Sequence, residues 1–251
     1  MGLSIDRVTQ KEAIRRVLDG LGAGRGGWIA TPNLDQLRLV NSSSSARELM
    51  REPDLSLADG MPLVWASRLM GDPLPERVPG SDLIESLSAA AATRGAGIHL
   101  IGGASDAGRR AASLLAEGNP GLRSCGHLPL PMGYDPGSQR EVGPVRDALR
   151  AATPDLVFVG LGFPKQERLI AALRKDFPRT WFLGVGISFS FVSGEVRRAP
   201  DWMQALGLEW MHRLAQEPRR LAGRYLLHDL PFALRLLVHA LSRRLEGNHT
   251  A

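Results

Sequence analysis

A single cysteine, Cys125, is all the thiol chemistry this 251-residue chain carries. One thiol excludes an internal disulfide framework and any CxxC redox or metal pair, and it suits a reducing cytosol. Aromatic residues are scarce at 6%. They are not interleaved with the arginines, as the stacking platforms of a nucleic-acid binder are, so no nucleic-acid partner is expected. No stretch reaches the roughly 18–20 uninterrupted apolar residues of a membrane span. The longest candidate, 226–241, is interrupted by His228, Asp229, Pro231, Arg235 and His239. Met1 to Arg7 show neither a basic n-region nor an apolar h-region, so no signal peptide is expected. HExxH, HxH, DxD and GxSxG are all missing and the six histidines are scattered, which predicts no catalytic metal and no cofactor. No GxGxxG fingerprint stands at a strand-to-helix turn, which counts against the main rival class, a nucleotide-dependent oxidoreductase.

What is present concentrates in residues 154–167, PDLVFVGLGFPKQE. An apolar run bounded by turn residues reads as a strand buried on both faces, the kind found in parallel sheets. Gly160 and Gly162 allow close backbone approach to a ligand at its carboxyl end. Lys165, Gln166 and Glu167 then stand where open α/β folds bind their ligands. The segment is expected to form the rim of an active site.

Similar strand-to-helix alternation runs through most of the chain. Helices are expected over 8–21, 34–40, 61–70, 81–94, 105–117, 140–151 and 167–175, the first opened by a Thr9/Glu12 capping box. Strands are expected at 28–30, 55–58, 97–101, 156–162 and 180–185. That order predicts an α/β fold, a Rossmann-like doubly wound, mainly parallel sheet. The composition changes near Arg197. From there to Arg244, nine arginines face four acids, an excess equal to the net charge of +5 on the whole chain. This part reads as helical throughout, with Arg224, His228, Arg235, His239 and Arg243 on one face, apolar residues on the other, and a break or kink at Pro231. Two units are therefore expected: an α/β core over 1–196, and a basic helical appendage over 197–251 suited to an anionic membrane surface.

Several turns are candidates for chemistry. Thr31-Pro32-Asn33 closes one buried strand and Asp59-Gly60 another, on the same sheet edge as Lys165 and Gln166. Thr and Asn can hydrogen-bond sugar hydroxyls or phosphate, and a carboxylate so placed can act as general base. Asn33 and Asp59 as plain turn formers or caps is the competing reading. Asp35, a rival carboxylate, suits the first turn of a helix. Gly102 to Gly108 is either a diphosphate-binding turn or a tight structural one. His99 is expected to be a satisfied core histidine.

Together the segments Ala30–Asn33, Ala58–Pro62, Pro75–Asp82, Val159–Glu167, Gly184–Gly186, Gly194–Pro200, Leu208–Trp210 and Gln216–Leu221 resemble, in order, the WecG/TagA/CpsF glycosyltransferases (glycosyltransferase family 26) over roughly residues 3–230. The resemblance implies a bacterial inverting, metal-independent enzyme. It would take an N-acetylmannosamine-type sugar from a UDP donor to a polyprenyl-diphosphate-linked N-acetylglucosamine in cell-surface polysaccharide synthesis. It implies a cytoplasmic protein, peripheral on the inner face of the plasma membrane. The family's proposed base falls on Asp59, its substrate contacts on Thr31 and Asn33, and its active-site glutamine on Gln166. Lys165, the turn at Gly184 and Gly186, and Arg219, Arg220 and Arg224 complete the expected substrate site, with Arg213 a further candidate for the lipid diphosphate. UDP-N-acetylmannosaminuronate and UDP-hexoses stay open as donors, as does assembly into homo-oligomers. Two departures from the family pattern are the short stretch before Ile5 and Phe163, expected to narrow the pocket.

Overall fold

The computed structural model describes residues 2–103 and 105–248. Among them six strands form one sheet: β1 (Gly27–Ala30), β2 (Leu55–Ser56), β3 (Gly97–Gly102), β4 (Arg123–Leu128), β5 (Leu156–Gly160) and β6 (Trp181–Gly184). The order across the sheet is β2-β1-β6-β5-β3-β4 and every neighbouring pair is parallel. The chain steps outward from β1 to β2 and again from β3 to β4, and then returns to fill the middle with β5 and β6. Because all strands run one way, their carboxyl ends share one edge. Register aligns those ends closely, with Gly102 opposite Gly160 and Val159 opposite Gly184.

Helices cover both faces. They are α1 (Gln10–Gly22), α2 (Leu34–Ser42), α3 (Ser44–Leu49), α4 (Met61–Met70), α5 (Gly80–Ala92), α6 (Ser105–Gly118), α7 (Gln139–Ala152), α8 (Lys165–Leu173) and α9 (Ser188–Val192). The two-residue period of the strands divides the core. Leu156, Phe158, Ile98, Leu100 and Leu183 pack with Val17, Leu83, Leu87 and Leu115 on one face. Val157, Val159, Trp28 and Phe182 pack with Val145, Leu149, Ile170 and Leu173 on the other. The Rossmann-like parallel sheet expected from the alternation is the one observed. The capping box is also present: Thr9 Oγ1 accepts from the Glu12 amide, and the Glu12 carboxylate accepts from the Thr9 amide.

Residues 197–248 contain no strand among those described. They form α10 (Asp201–Ala205), α11 (Glu209–Gln216), α12 (Pro218–Ala222), a π-helical stretch (Gly223–Asp229) and α13 (Leu230–Asn248). Pro231 does not break the run; it falls just after seven residues of π-helix, whose wider turns leave room where the imide has no proton to donate. Leu236 and Ala240 of α13 are buried with Leu37, Leu63, Val64 and Leu74 of the core, so the appendage shares a hydrophobic cluster with α2 and α4. The apolar residues of α13 divide into two sets. One is this buried face. The other, Leu230, Leu234, Val238, Leu241 and Leu245, continues Leu227 of the π-helical stretch and is exposed, with Leu227 71% and Val238 69% open to solvent. The basic residues Arg235, His239 and Arg243 lie about a third of a turn from that exposed stripe. No described helix is long and apolar enough to cross a membrane.

Candidate active site

Two clefts open beside the carboxyl edge of the sheet. The first, of about 300 Å³, is lined by Gly103 after β3, Gly160 to Gly162 at the end of β5, and Gly186, Ile187, Phe189 and Ser190 after β6. Its glycines are needed by geometry. Gly103, Gly162 and Gly186 have φ of +75°, +73° and +54°, where a side chain is strained. At Gly160 a Cβ would meet the Phe189 ring at 2.7 Å.

Gln166 holds the first cleft together. Only 4% exposed in the first turn of α8, it accepts through Oε1 from the amides of Gly162 (3.1 Å) and Gly186 (3.0 Å). Its Nε2 donates to Glu167 Oε1 at 2.9 Å. Gly184 is tight for the same reason, since a Cβ there would sit 2.5 Å from Gln166 Nε2. Two amides in the glycine turns are thus committed to Gln166, and the Gly103 amide is committed to the Gly160 carbonyl at 2.9 Å. Glu167 is 3% exposed, its Oε2 has no partner, and burial pushes its carboxyl up to about 7 against the opposing hydrogen bond from Gln166. Lys165, beside them, is exposed.

Asp59 follows β2, its amide bonded to the Pro32 carbonyl at 3.0 Å. It does not cap α4, whose N-terminus makes no side-chain cap. Burial pushes its carboxyl up to about 7; Arg77 and Arg198 oppose that, while Glu209 and Asp82 add to it. Those four groups form an ion network. Arg77 Nη1 lies 3.0 Å from Glu209 Oε2, Arg198 Nε lies 3.6 Å from Glu209 Oε1, and Arg198 also pairs with Asp82. Arg77 and Asp82 line the second cleft, about 380 Å³, with Met61 and Arg68 of α4 and Asp201 and Gln204 of α10. That cleft lies between core and appendage, next to Asp59 in the chain.

Thr31 is buried at the end of β1. The start of α5 lies against it, since a Cβ on Gly80 would come within 2.9 Å of Thr31 Oγ1. Asn33 caps α2: Oδ1 accepts from the Gln36 amide at 3.1 Å, so Nδ2 is not used by the cap. Asp35 sits in the first turn of α2 and pairs with Arg38 (2.5 Å) and Arg224 (3.8 Å). Phe163 packs toward Ala30, Val40, Ala46 and Met50 and is not part of the lining of the first cleft. His99 is a buried core histidine but only half satisfied: its Nδ1 is bonded to the Cys125 carbonyl at 2.8 Å, and its Nε2 has no partner.

The arginines of the appendage separate by position. Arg213 stacks on Phe191 of α9 at 5.9 Å, next to Ser190 in the first cleft. Arg224 is held by Asp35, by Asp229 at 3.7 Å, and over the Tyr225 ring. Arg220 pairs with Glu217 at 2.5 Å, and Arg219 is exposed. Sequence reasoning assigns no role to Arg77, Asp82, Arg198 or Glu209. All four lie in the segments that carry the family resemblance, but a contact spanning 132 residues, such as Arg77 to Glu209, leaves no trace in spacing. No group of three His, Cys, Asp or Glu residues that could hold a metal occurs among the described residues.

A glycine-lined crevice at the carboxyl edge of a doubly wound parallel sheet, with a carboxylate of raised pKa beside it, has the layout of a Rossmann-like α/β enzyme. The profile of the glycosyl transferase WecG/TagA/CpsF family matches residues 1–246, and the chain belongs to that family; it is a glycosyltransferase. An N-acetylglucosaminyldiphosphoundecaprenol N-acetyl-beta-D-mannosaminyltransferase from Bacillus spizizenii (strain ATCC 23059 / NRRL B-14472 / W23) is 32% identical over 200 residues, 80% of this chain and 75% of the relative. One of the same description from Bacillus subtilis (strain 168) is 34% identical over 195 residues, 78% and 73% respectively.

Proposed function

We propose that this glycosyltransferase moves an N-acetylmannosamine-type sugar from a UDP donor to a polyprenyl-diphosphate-linked N-acetylglucosamine, with inversion and Asp59 as general base. The observation that carries the reading is Asp59 itself: a carboxylate at the carboxyl edge of the sheet whose burial holds its pKa near 7. An ordinary carboxylate near ~3.9 is a weak base at neutral pH, whereas one near 7 is matched to removing a hydroxyl proton. Asp59 takes the proton as the acceptor oxygen bonds to the anomeric carbon. The bond from that carbon to UDP breaks on the opposite face, and UDP leaves with the electron pair. The names of the two Bacillus relatives support the sugar and the lipid-linked acceptor.

In this reading the donor occupies the first cleft, within reach of Lys165 and Arg213, and the acceptor enters by the second. Thr31 and the side-chain amide of Asn33 lie on the same edge for substrate hydroxyls. Arg219 and Arg220, exposed on the appendage, meet the lipid diphosphate. The exposed stripe of α13, with its flanking arginines and with Trp202 and Trp210 exposed nearby, rests on an anionic inner-membrane surface. Arg224 keeps the appendage seated through Asp35.

The test is UDP release from a panel of UDP-sugars, including the mannosaminuronate and the hexoses, with a polyprenyl-diphosphate N-acetylglucosamine analogue and EDTA present. Acceptor-dependent release from one donor is expected and identifies the sugar. No release in detergent or liposomes removes the acceptor assignment first. Ending the chain after residue 196 strips the cover from Leu37, Leu63, Val64 and Leu74 while leaving both sheet-facing clusters whole. The truncated protein is expected to keep its helix and strand signal in circular dichroism, to melt roughly 5 °C lower or more, and to lose transfer to the lipid acceptor. Undiminished transfer in liposomes refutes the role given to the appendage.

A further inference from the structure

The pairing of Glu209 is unusual for the first residue of a surface helix. Its two carboxylate oxygens reach different arginines, Arg77 from the loop before α5 and Arg198 from the segment entering the appendage. The Glu209 and Arg77 side chains are only 16% and 13% exposed, so solvent screens their attraction weakly. Asp82 completes the set by pairing with Arg198. The loop that carries Arg77 lies against the strand end before Asp59, the Val78 amide donating to the Ala58 carbonyl at 2.8 Å, so two cations and two anions act on Asp59, and the network is neutral only while Glu209 is in place.

We infer that Glu209 is a positioning residue for Asp59: by engaging Arg77 and Arg198 together, it keeps both guanidinium groups from pairing with the base. The inference rests on the reading of Asp59 given above. Without the Glu209 carboxylate, two arginines with one remaining anion would face Asp59. A carboxylate beside a free arginine is typically held about 1–3 pKa units lower. Such a group is charged at neutral pH but has little tendency to take a proton from an acceptor hydroxyl. The carboxylate that prevents this comes from α11, so the strength of the base depends on the appendage being seated against the core. An α/β core with its appendage displaced would keep Asp59 and lose its basicity. The groups acting on Asp59 are Arg77 from its loop, Asp82 from α5, Arg198 from the entry segment and Glu209 from α11.

The network makes opposite predictions for its two kinds of member, which a simple brace between core and appendage does not. The experiment is the pH profile of kcat/KM for the full chain, with UDP-N-acetylmannosamine and a short-chain prenyl-diphosphate N-acetylglucosamine. Glu209→Gln removes an anion, frees Arg77 and leaves Arg198 with Asp82 alone. Its acid limb is expected about one pH unit below that of the unaltered protein, with a lower plateau. Arg198→Gln removes a cation and frees Asp82, so its acid limb is expected to move upward. Glu209→Asp keeps the charge and should keep the original limb. If Glu209→Gln does not fold, the upward shift in Arg198→Gln still decides. Limbs that stay in place, or that move the same way in both variants, overturn the inference whatever the melting temperatures do. Asp59→Asn, measured in parallel, separates the two levels. An inactive Asp59→Asn with unmoved limbs sinks the role of Glu209 alone, whereas a fully active one removes the base assignment and this inference with it.

Discussion

Replacing Asp59 by asparagine is expected to lower turnover by at least about a hundredfold, to leave UDP binding intact, and to make the protein more stable at pH 8. The stability change follows from the sign of the pKa shift. The folded carboxyl titrates near 7 against an ordinary 3.8. Below about pH 4 both the folded and unfolded chains hold the proton, and the shift costs nothing. Between about 4 and 7 the folded state binds a proton that the unfolded state has released, so stability falls as the pH rises through that window. Above 7 the whole cost remains, with a ceiling of about 4 kcal/mol for a shift of this size; water reaching the partly exposed side chain lowers it. Asparagine has the same shape and no charge, so it escapes the cost at pH 8 and gains nothing near pH 4. Thermal unfolding at the two pH values measures the difference. Equal changes at both would show that Asp59 is not a destabilised carboxylate, and full activity would show that it is not the base.

Gln166→Ala is expected to destabilise the protein by about 2–5 kcal/mol and to weaken UDP binding at least about tenfold. The carboxamide satisfies the amides of Gly162 and Gly186 and donates to Glu167. Alanine removes all three bonds at a buried site, and an unpaired buried group costs about 1–3 kcal/mol. It also frees the two glycine turns from each other, so the crevice between them loses its shape. Gly184→Ala should reproduce the binding defect with a smaller loss of stability, because its Cβ displaces the same carboxamide without deleting it. Urea unfolding and calorimetric titration with UDP check both. A Gln166→Ala protein with unchanged stability and UDP affinity would mean that the clamp does not shape the cleft.

The fold was legible where residues are buried in a regular period. The apolar run 156–160 is fully buried, and its alternate residues feed two separate clusters. β4 was missed for the opposite reason. It is an edge strand of Arg123, Ser124, Cys125, Gly126, His127 and Leu128, half open to solvent, with a register shift where Gly126 takes a positive φ. A polar, bulged edge resists further pairing and looks like a loop in sequence. Helix α3 was hidden by the serine run, where Ser43 is its cap. Helix α8 begins two residues earlier than its apolar spacing suggests, which places Gln166 inside a helical turn.

The site was legible as a set of turns at one sheet edge, but the partners of each side chain were not. That Gln166 faces inward depends on β6 lying next to β5, and strand order is not written in a local pattern. The charges around Asp59 come from four separate parts of the chain. Only folding brings Arg77 to Glu209, so spacing arguments could find the carboxylate and not its surroundings.

The strand order has a consequence for how the chain acquires its structure. β6, the last strand in sequence, pairs with β1 on one side and β5 on the other. Until residues 181–184 leave the ribosome, the strands available can pair only as two partial sheets, β2-β1 and β5-β3-β4, each with an unpaired inner edge of buried-type residues. Closing them joins segments more than 150 residues apart, a slow kind of contact to form. Nascent chains stopped short of β6 should therefore be the species that chaperones hold and that aggregate when they do not.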